Sequence, residues 1–541
     1  MSQDTEGKLD PRILFSLPPA LVTTVPLLAS LAVAIWFLAR QLLVRRYAPP
    51  GPKGLPVLGN AGQIPEAYAW LYYTRLAKEF GDVVKLTALG QPIFILSSAK
   101  AISDLIANHR SGSVAGRPYL AMLDLLGWSK SITVLSASTP RWQAQRKLLH
   151  QFLGPQAMPL YHSMIEEHAR MFVRDAMKQH TKEEEQKEED GFMDVFVFTM
   201  AKLVLRMTYG IKVTSQDDPM AITADKAALN FGDAIEVGKF KVNIFPIMRH
   251  IPAWIPLPIA EFQRTAAKWK AYMLTAVTTP FERVKSDVAA GKAEPSFAAR
   301  CLENLPPGHG IEDEENILWA AGSLYVAAAR TTSTTMGTLL LAMIFHPEVQ
   351  AKAHAEIERE VGSERLPHLK DRKNLPYVEN IFKEVLRWHP STPIGLPHTA
   401  TEDTEYRGYT IPKGSMVFGN IWALSRDPTV YPSDPEEFDP DRYNDTNSGS
   451  MDPKTYIFGW GRRACPGQAF AEAMLWMSVV TLLATTHMGP ALDSKGKEVI
   501  PEKKFTGGLV HSPHPFPYRL VPRSQVMVGL LEASVDADLS V

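Results

Sequence analysis

Two long uncharged stretches stand out in the hydrophobic pattern of this 541-residue chain. The first lies between Arg12 and Arg40, and its core from Leu21 to Ala39 is mostly Leu, Val and Ala. A helix over that core rises about 30 Å, enough to cross the hydrocarbon core of a bilayer. The pattern therefore predicts a short leader over residues 1–16 and a transmembrane anchor helix over residues 17–40.

A cleaved signal peptide is the competing interpretation of this first stretch. We favour the anchor, because the apolar run is long, begins late and is followed by no small-x-small cleavage site. Arg40, Arg45 and Arg46 follow the span, and the positive-inside rule keeps such residues in the cytosol. We expect a lumenal leader, a single span and a cytosolic remainder of the chain.

The second stretch runs from Ile317 to Phe345 and contains one charged residue, Arg330. A second membrane span would place this charge in mid-membrane, which is energetically costly. The stretch is also rich in Ala and Thr rather than Leu. It therefore predicts a buried central helix that ends at His346-Pro347, because the residue before a proline disfavours helical geometry.

The remaining pattern predicts one mainly α-helical domain with small β-sheets. Residues 81–96 alternate and are rich in β-formers, which predicts a hairpin with its turn at Gly90-Gln91. Helical patterns dominate the rest as far as about residue 390. Dense prolines make residues 47–60 a stiff, extended hinge, and the domain over residues 61–541 follows it.

Composition narrows the function classes. The chain carries 57 Lys and Arg against 58 Asp and Glu, a net charge of −1, and this balance gives no support to nucleic-acid binding. The two cysteines, Cys301 and Cys465, exclude a disulfide framework and suit a reducing compartment. We expect Cys301 to be a small packing residue.

Cys465 lies in an unusual loop, residues 458–467, where three glycines and two arginines surround it. Glycines allow tight turns and close approach to a flat object, and Arg462 and Arg463 are expected to favour the thiolate. A strong helix-forming sequence follows, so the thiol precedes a helix N-terminus whose dipole also favours an anion. Such a thiolate is either a nucleophile or a metal ligand.

The order Phe458, Gly461, Arg463, Cys465, Gly467 resembles the haem-binding loop of the cytochrome P-450 family. The resemblance implies a cytochrome P-450 fold with heme b (iron protoporphyrin IX) as cofactor and a cysteine thiolate as axial iron ligand. The haem contacts that it implies in this loop are Cys465, Arg463, Phe458, Gly459 and Gly467.

Two further motifs match the family. Glu384 and Arg387 lie three residues apart in an apolar helical sequence, and Arg442 follows in Asp-Pro-Asp-Arg-Tyr. They resemble the family's structural triad, which fixes the cysteine loop. Trp142 and Arg146 resemble the helix that grips a haem propionate.

Further residues match other parts of the haem environment. Arg463 and His398 match other propionate partners, although a surface histidine is an open alternative for His398. Arg146, Lys147 and Arg462 would help form a basic face for an acidic electron donor.

Residues 327–332 resemble the family's oxygen-activating turn, in which an acid precedes an alcohol that helps to protonate bound dioxygen. Thr331 falls on the alcohol position, Ala328 replaces the usual glycine, and Arg330 replaces the acid. An arginine cannot shuttle protons near neutral pH. We expect Thr331 and Arg330 to be catalytic, and a buried Arg330 to pair either with a distant Asp or Glu or with an acidic substrate.

The resemblance covers nearly the whole chain and is greatest to the fungal microsomal group that contains O-methylsterigmatocystin oxidoreductase. It implies a monooxygenase of the endoplasmic reticulum membrane that oxidises an apolar small molecule in secondary metabolism. Electrons would come from a separate NADPH–cytochrome reductase, since the chain has no dinucleotide fingerprint. Residues 242–259 are either the family's membrane-dipping lid or an ordinary helix connection.

Two alternatives remain open. Arg330 raises the possibility of a haem-thiolate enzyme that uses peroxide or rearranges its substrate. A membrane-tethered haem sensor without catalysis is the other. Dependence on NADPH and reductase separates the first alternative from a monooxygenase, and product formation excludes the second.

Overall fold

The computed structural model describes residues 48–107, 112–186, 191–444 and 449–539. The predicted leader and anchor lie outside the described residues. The helices are α1 Ala69–Phe80, α2 Ala99–Ile102, α3 Ala121–Leu125, α4 Pro140–Leu153, α5 His162–Gln186, α6 Phe192–Tyr209, α7 Pro219–Ile235, α8 Lys241–Ile244, α9 Glu261–Ala289, α10 Phe297–Glu303, α11 Ile311–Phe345, α12 Pro347–Glu360, α13 Pro376–Trp388, α14 Ile421–Leu424, α15 Gln468–Thr485 and α16 Gln525–Leu539. The strands are β1 Val83–Ala88, β2 Gln91–Leu96, β3 His398–Thr399, β4 Thr404–Tyr406, β5 Tyr409–Ile411, β6 Met416–Gly419, β7 Thr486–Gly489, β8 Ala491–Leu492, β9 Glu498–Val499 and β10 Arg519–Pro522.

Helix α11 is the central element, as the uncharged stretch predicted. It packs against α4, α6, α7, α9 and α15 and is mostly buried. It begins six residues before Ile317 because its first turn carries acids, which favour a helix N-terminus, and the Asp313 carboxylate accepts the Gly310 N–H at 3.0 Å. It ends at Phe345, and α12 begins directly at Pro347.

The predicted hairpin is present as β1 and β2, which pair antiparallel with Val83 opposite Leu96. Its turn lies one residue earlier than predicted, at Leu89-Gly90, where both residues have positive φ (49° and 83°). Two consecutive positive φ values give the twist that suits a two-residue hairpin. Strand β6 adds parallel to β2 and β3 adds antiparallel to β6, which gives a small mixed sheet of order β1-β2-β6-β3.

The proline-rich hinge follows the edge of this sheet where it is described. The Pro50 carbonyl accepts the Lys85 N–H at 3.1 Å, and the Thr87 carbonyl accepts the Asn60 N–H. The Asn60 amide also donates to the Pro52 carbonyl at 3.1 Å. The hinge is therefore held against β1 by backbone contacts.

Helix α15 is the one helix of the described residues that is long and apolar enough to cross a membrane. It is 78% buried inside the protein, packing against α5, α11, α12 and α13. The apolar side chains of α15 are therefore accounted for by packing in the protein core. Because it starts at Gln468, it fixes the carboxyl end of the cysteine loop to the centre of the molecule.

The structure brings Glu384, Arg387 and Arg442 together in full burial. The Glu384 carboxylate accepts from Arg387 Nη2 at 2.6 Å, Arg387 Nε at 2.8 Å and Arg442 Nε at 3.1 Å. The Tyr443 hydroxyl and the Asp439 N–H also donate to it, at 3.1 and 2.9 Å. One carboxylate thus compensates two guanidiniums that are shielded from water.

This cluster is linked to the cysteine loop through two tyrosines. The Arg387 guanidinium lies over the Tyr431 ring, at 5.3 Å from its centroid. The Tyr431 hydroxyl lies 2.7 Å from that of Tyr456, whose carbonyl accepts the Gly459 N–H at 3.1 Å. The buried charges therefore support the segment from which the cysteine loop starts.

Replacing Glu384 should destabilise the protein strongly. Glu384→Ala removes the buried carboxylate that Arg387 and Arg442 share, and breaking a buried ion pair costs roughly 3–5 kcal/mol. We expect a loss of that size in the free energy of unfolding, measured by denaturant titration with tryptophan fluorescence and haem absorbance. Tyr443→Phe is the matched control, because it removes one hydroxyl donor and should cost only about 1 kcal/mol. Equal losses in the two variants would contradict this account.

Candidate haem-binding site

The loop over residues 458–467 is a tight turn that only glycine permits at two positions. Gly459 and Gly461 have positive φ (77° and 57°), and a Cβ atom on Gly461 would lie 2.7 Å from the Ile106 carbonyl oxygen. The Phe458 carbonyl accepts the Cys465 N–H at 2.7 Å and closes the loop. Phe458, Gly459 and Gly467 thus lie in the same turn as the cysteine.

The Cys465 side chain has solvent-accessible surface although protein atoms surround it on all sides. It therefore lines a void inside the protein. Burial raises its pKa, and the Gly467 N–H and the Arg146 guanidinium act in the opposite direction. The expectation that Arg462 and Arg463 favour the thiolate is wrong, because Arg463 points at backbone carbonyls and Arg146 supplies the charge. A metal ion would displace the remaining thiol proton outright.

Three arginines converge beside the same loop. Arg463 donates to the carbonyls of Ala115, Ile132 and Leu135; Arg117 donates to those of Thr133, Leu396 and Pro397; Arg146 donates to that of Ala464 at 2.7 Å. These acceptors are neutral. None of the described carboxylates forms an ion pair with any of the three guanidiniums.

The electrostatics of this cluster favour the binding of an anion. Burial lowers the pKa of Arg117 to about 10, and burial together with Arg117 and Arg146 lowers that of Arg463 to about 8. Uncompensated buried charge is costly unless a partner is present. The two propionates of heme b are carboxylates of the required charge, so these residues and the Cys465 thiol fit that group.

Trp142 and Arg463 lie together, as the resemblance implied for two haem contacts. Helix α4 begins where the Thr139 hydroxyl accepts the Trp142 N–H at 3.3 Å. The Arg463 guanidinium then lies over the buried Trp142 ring, 5.1 Å from its centroid. One turn later Arg146 reaches the cysteine loop. The helix thus presents both predicted residues to one site.

His398 is buried in β3, so the surface alternative is wrong. Its Nδ1 lies 2.9 Å from the Val114 carbonyl oxygen, and burial, Arg117 and Arg463 hold its pKa well below the usual range. A neutral ring that donates through Nδ1 has no second donor. A contact from His398 to a propionate stays a prediction, and it requires a protonated ring.

Helix α11 contributes Thr331 to the lining of a void. Ala327 is exposed beside the buried Val326, and the Thr331 hydroxyl is accessible while it donates to the Ala327 carbonyl at 3.4 Å. Residues at i and i+4 lie on the same helix face. This turn of a buried helix therefore faces open space.

Arg330 pairs with a distant acid of the protein, the first of the two predicted arrangements. Its Nε and Nη2 each donate to one oxygen of Asp225 on α7, both at 2.6 Å. Asp194 on α6 also faces the pair; burial raises its pKa and Arg330 opposes that shift. The guanidinium thus has its anion within the protein.

Sequence reasoning missed Arg117 and Asp225. Arg117 gives a weak signal, because it is the only charge between Arg110 and Asp124 in an apolar stretch. Asp225 gives none, since it is separated from Arg330 by 105 residues.

Comparison with known proteins agrees with this geometry. The family model for cytochrome P-450 matches residues 49–516. The cytochrome P-450 monooxygenase claR of Ampulloclitocybe clavipes is 34% identical over 508 residues, which cover 93% of this chain and 91% of that protein. The cytochrome P-450 monooxygenase 105 of Postia placenta is 35% identical over 518 residues, which cover 94% of this chain and 97% of that protein.

The fold agrees as well. A zebra fish cytochrome P-450 solved with abiraterone superposes with a TM-score of 0.66 at 22% identity, covering 84% of this chain and all of that one. With the profile match, the fungal relatives and the cysteine loop, the chain belongs to the cytochrome P-450 family of haem-thiolate monooxygenases, whose cofactor is heme b.

Proposed function

We propose that this protein is anchored in the endoplasmic reticulum membrane and oxidises an apolar small molecule with one oxygen atom of O2. A separate NADPH–cytochrome reductase supplies the electrons. The observation that carries the proposal is the placement of the Cys465 thiol and three uncompensated arginines around one site. We also propose a role in secondary metabolism, which rests on the sequence resemblance to the fungal group that contains O-methylsterigmatocystin oxidoreductase; the fungal relatives are themselves cytochrome P-450 monooxygenases.

The residues around the cysteine loop and on α11 would have separate roles in this function. Heme b, when bound, supplies the oxidation chemistry through its iron. Cys465 would hold the iron, while Arg117, Arg146 and Arg463 would hold the propionates and Trp142 would pack beside them. Thr331 can hold a proton or a water molecule on the side of α11.

An exposed apolar segment supports membrane contact in addition to the anchor. Between α8 and α9, Ile247 and Trp254 are 77% and 80% exposed, and Phe245, Leu257 and Ile259 are exposed as well. Contiguous apolar exposure of this kind marks membrane or protein contacts. The segment is the predicted lid, and its apolar side chains would enter the interfacial region of the bilayer.

The electron donor would bind on the basic face. Lys147 and Arg462 are exposed, whereas Arg146 turns inward to the Ala464 carbonyl. An acidic partner would meet the first two residues directly. The peroxide-using or rearranging alternative was motivated by Arg330, and the pairing of Arg330 with Asp225 removes that motive.

The two cysteines give a direct test of the iron ligand. Cys465→Ala should abolish the thiolate-type Soret band of the reduced carbon-monoxide complex. Cys301→Ala is the matched control and should keep the band, because burial raises the pKa of Cys301 to about 11 and keeps it a thiol. A Cys465→Ala protein with an unchanged band would refute the assignment.

The oxidant can be identified by isotope labelling. With reductase, NADPH and 18O2, product should carry one labelled oxygen atom, and turnover should stop when reductase is omitted. Hydrogen peroxide alone should support little product formation. Equal turnover with peroxide alone would favour the peroxide-using alternative, and product-free binding would favour a sensor.

The anchor should be separable from the catalytic domain. Deleting residues 1–46 should leave a haem-loaded protein that still associates with membranes through the lid. Adding Ile247→Ser and Trp254→Ser should release it without changing haem content, as measured by vesicle flotation and absorbance. Loss of haem on truncation alone would show that the domain boundary is wrong.

A further inference from the structure

One ion pair joins α7 to the helix turn that carries the alcohol. Arg330 and Asp225 meet through two parallel hydrogen bonds of 2.6 Å, the bidentate arrangement that a guanidinium makes with a carboxylate. Their side chains keep 33% and 27% exposure, so the pair is only partly buried. A nearby contact, from the Tyr325 hydroxyl to the Met220 carbonyl at 2.7 Å, ties the same two helices together.

Arg330 lies close enough to the void beside Thr331 for its positive charge to act on a bound molecule unless a protein carboxylate neutralises it. It precedes Thr331 and lies three residues after Ala327, so it shares a helix face with the residues that line the void. It is the only charged residue of α11 between Ile317 and Phe345. Without a protein partner, its guanidinium would be a cation within side-chain reach of that void.

We propose that Asp225 is a specificity-determining residue, which neutralises Arg330 and thereby makes the cavity select neutral molecules over carboxylates. The inference rests on the proposed function, since it takes the void beside Thr331 to receive the substrate. A dissolved acid must displace a carboxylate that is already in place, and an intramolecular partner has a high effective concentration. Removing the charge of Asp225 leaves Arg330 with the Asp194 carboxylate, which faces it without a hydrogen bond, so that both guanidinium donors become available to a carboxylate ligand.

The test uses a series of imidazolyl carboxylic acids of increasing chain length, and their methyl esters. The imidazole binds haem iron and shifts its absorbance, so dissociation constants can be titrated without knowing the natural substrate. The measured quantity is the ratio of acid to ester affinity at each length. It is a binding ratio and does not depend on turnover.

The variants separate charge from structure. In Asp225→Asn, the ratio of acid to ester affinity should rise about tenfold to about 100-fold at the chain length that fits best. This is the factor expected for one hydrogen-bonded contact to a charged group. The double variant Asp225→Asn/Arg330→Gln should lose this gain. Asp233→Asn is the control, because Asp233 lies on the same helix but pairs with Lys239.

Arg330→Gln alone provides a second measurement that does not need Asp225→Asn to fold. It leaves an unpaired Asp225 carboxylate beside the void, so the acid should lose affinity relative to the ester. An unchanged ratio in both single variants, or a gain that persists in the double variant, would overturn the inference. Absence of any imidazole shift in the wild-type protein would instead overturn the proposed haem function.

Discussion

Charge that is removed from water must meet an opposite charge, and this constraint organises the molecule. Three groups of buried or half-buried arginines differ in the partners that they have within the protein. Arg387 and Arg442 share the Glu384 carboxylate, and Arg330 holds Asp225. The third group, Arg117, Arg146 and Arg463, has only backbone carbonyls. The third group is therefore the one at which we propose that the haem propionates supply the negative charge.

This difference couples cofactor binding to stability. The Glu384 cluster is complete within the chain, so it can form before the cofactor binds. In the proposed site, Arg117, Arg146 and Arg463 would gain an anionic partner only when the cofactor binds, and a ligand that binds the folded state alone stabilises that state. The same holds for the Cys465 thiol, whose pKa burial raises until a metal ion replaces the proton. The fold and the haem site are thus parts of one equilibrium.

The sequence predicted those features whose signals are local. The spacing around Cys465, the pair Glu384 and Arg387, and the uncharged run of α11 each lie within one segment, so the local pattern, together with the family resemblance for the first two, was sufficient. Arg117 and Asp225 were missed because their roles depend on contacts between distant segments. The direction of Arg463 was also misjudged, since spacing places a residue near a site but does not fix where a flexible side chain points.

The Arg330 turn shows why such a departure from a family pattern should be interpreted through contacts. At the sequence level, an arginine in place of an acid suggests a changed reaction or an acidic substrate. In the fold, the carboxylate comes from α7, so the pair remains neutral overall and the alcohol of Thr331 is kept beside it. The positive charge of Arg330 on α11 is balanced by the negative charge of Asp225 on α7, so the cavity gains no net charge from the pair. What the arginine contributes in the fold is therefore a charged attachment between α7 and α11.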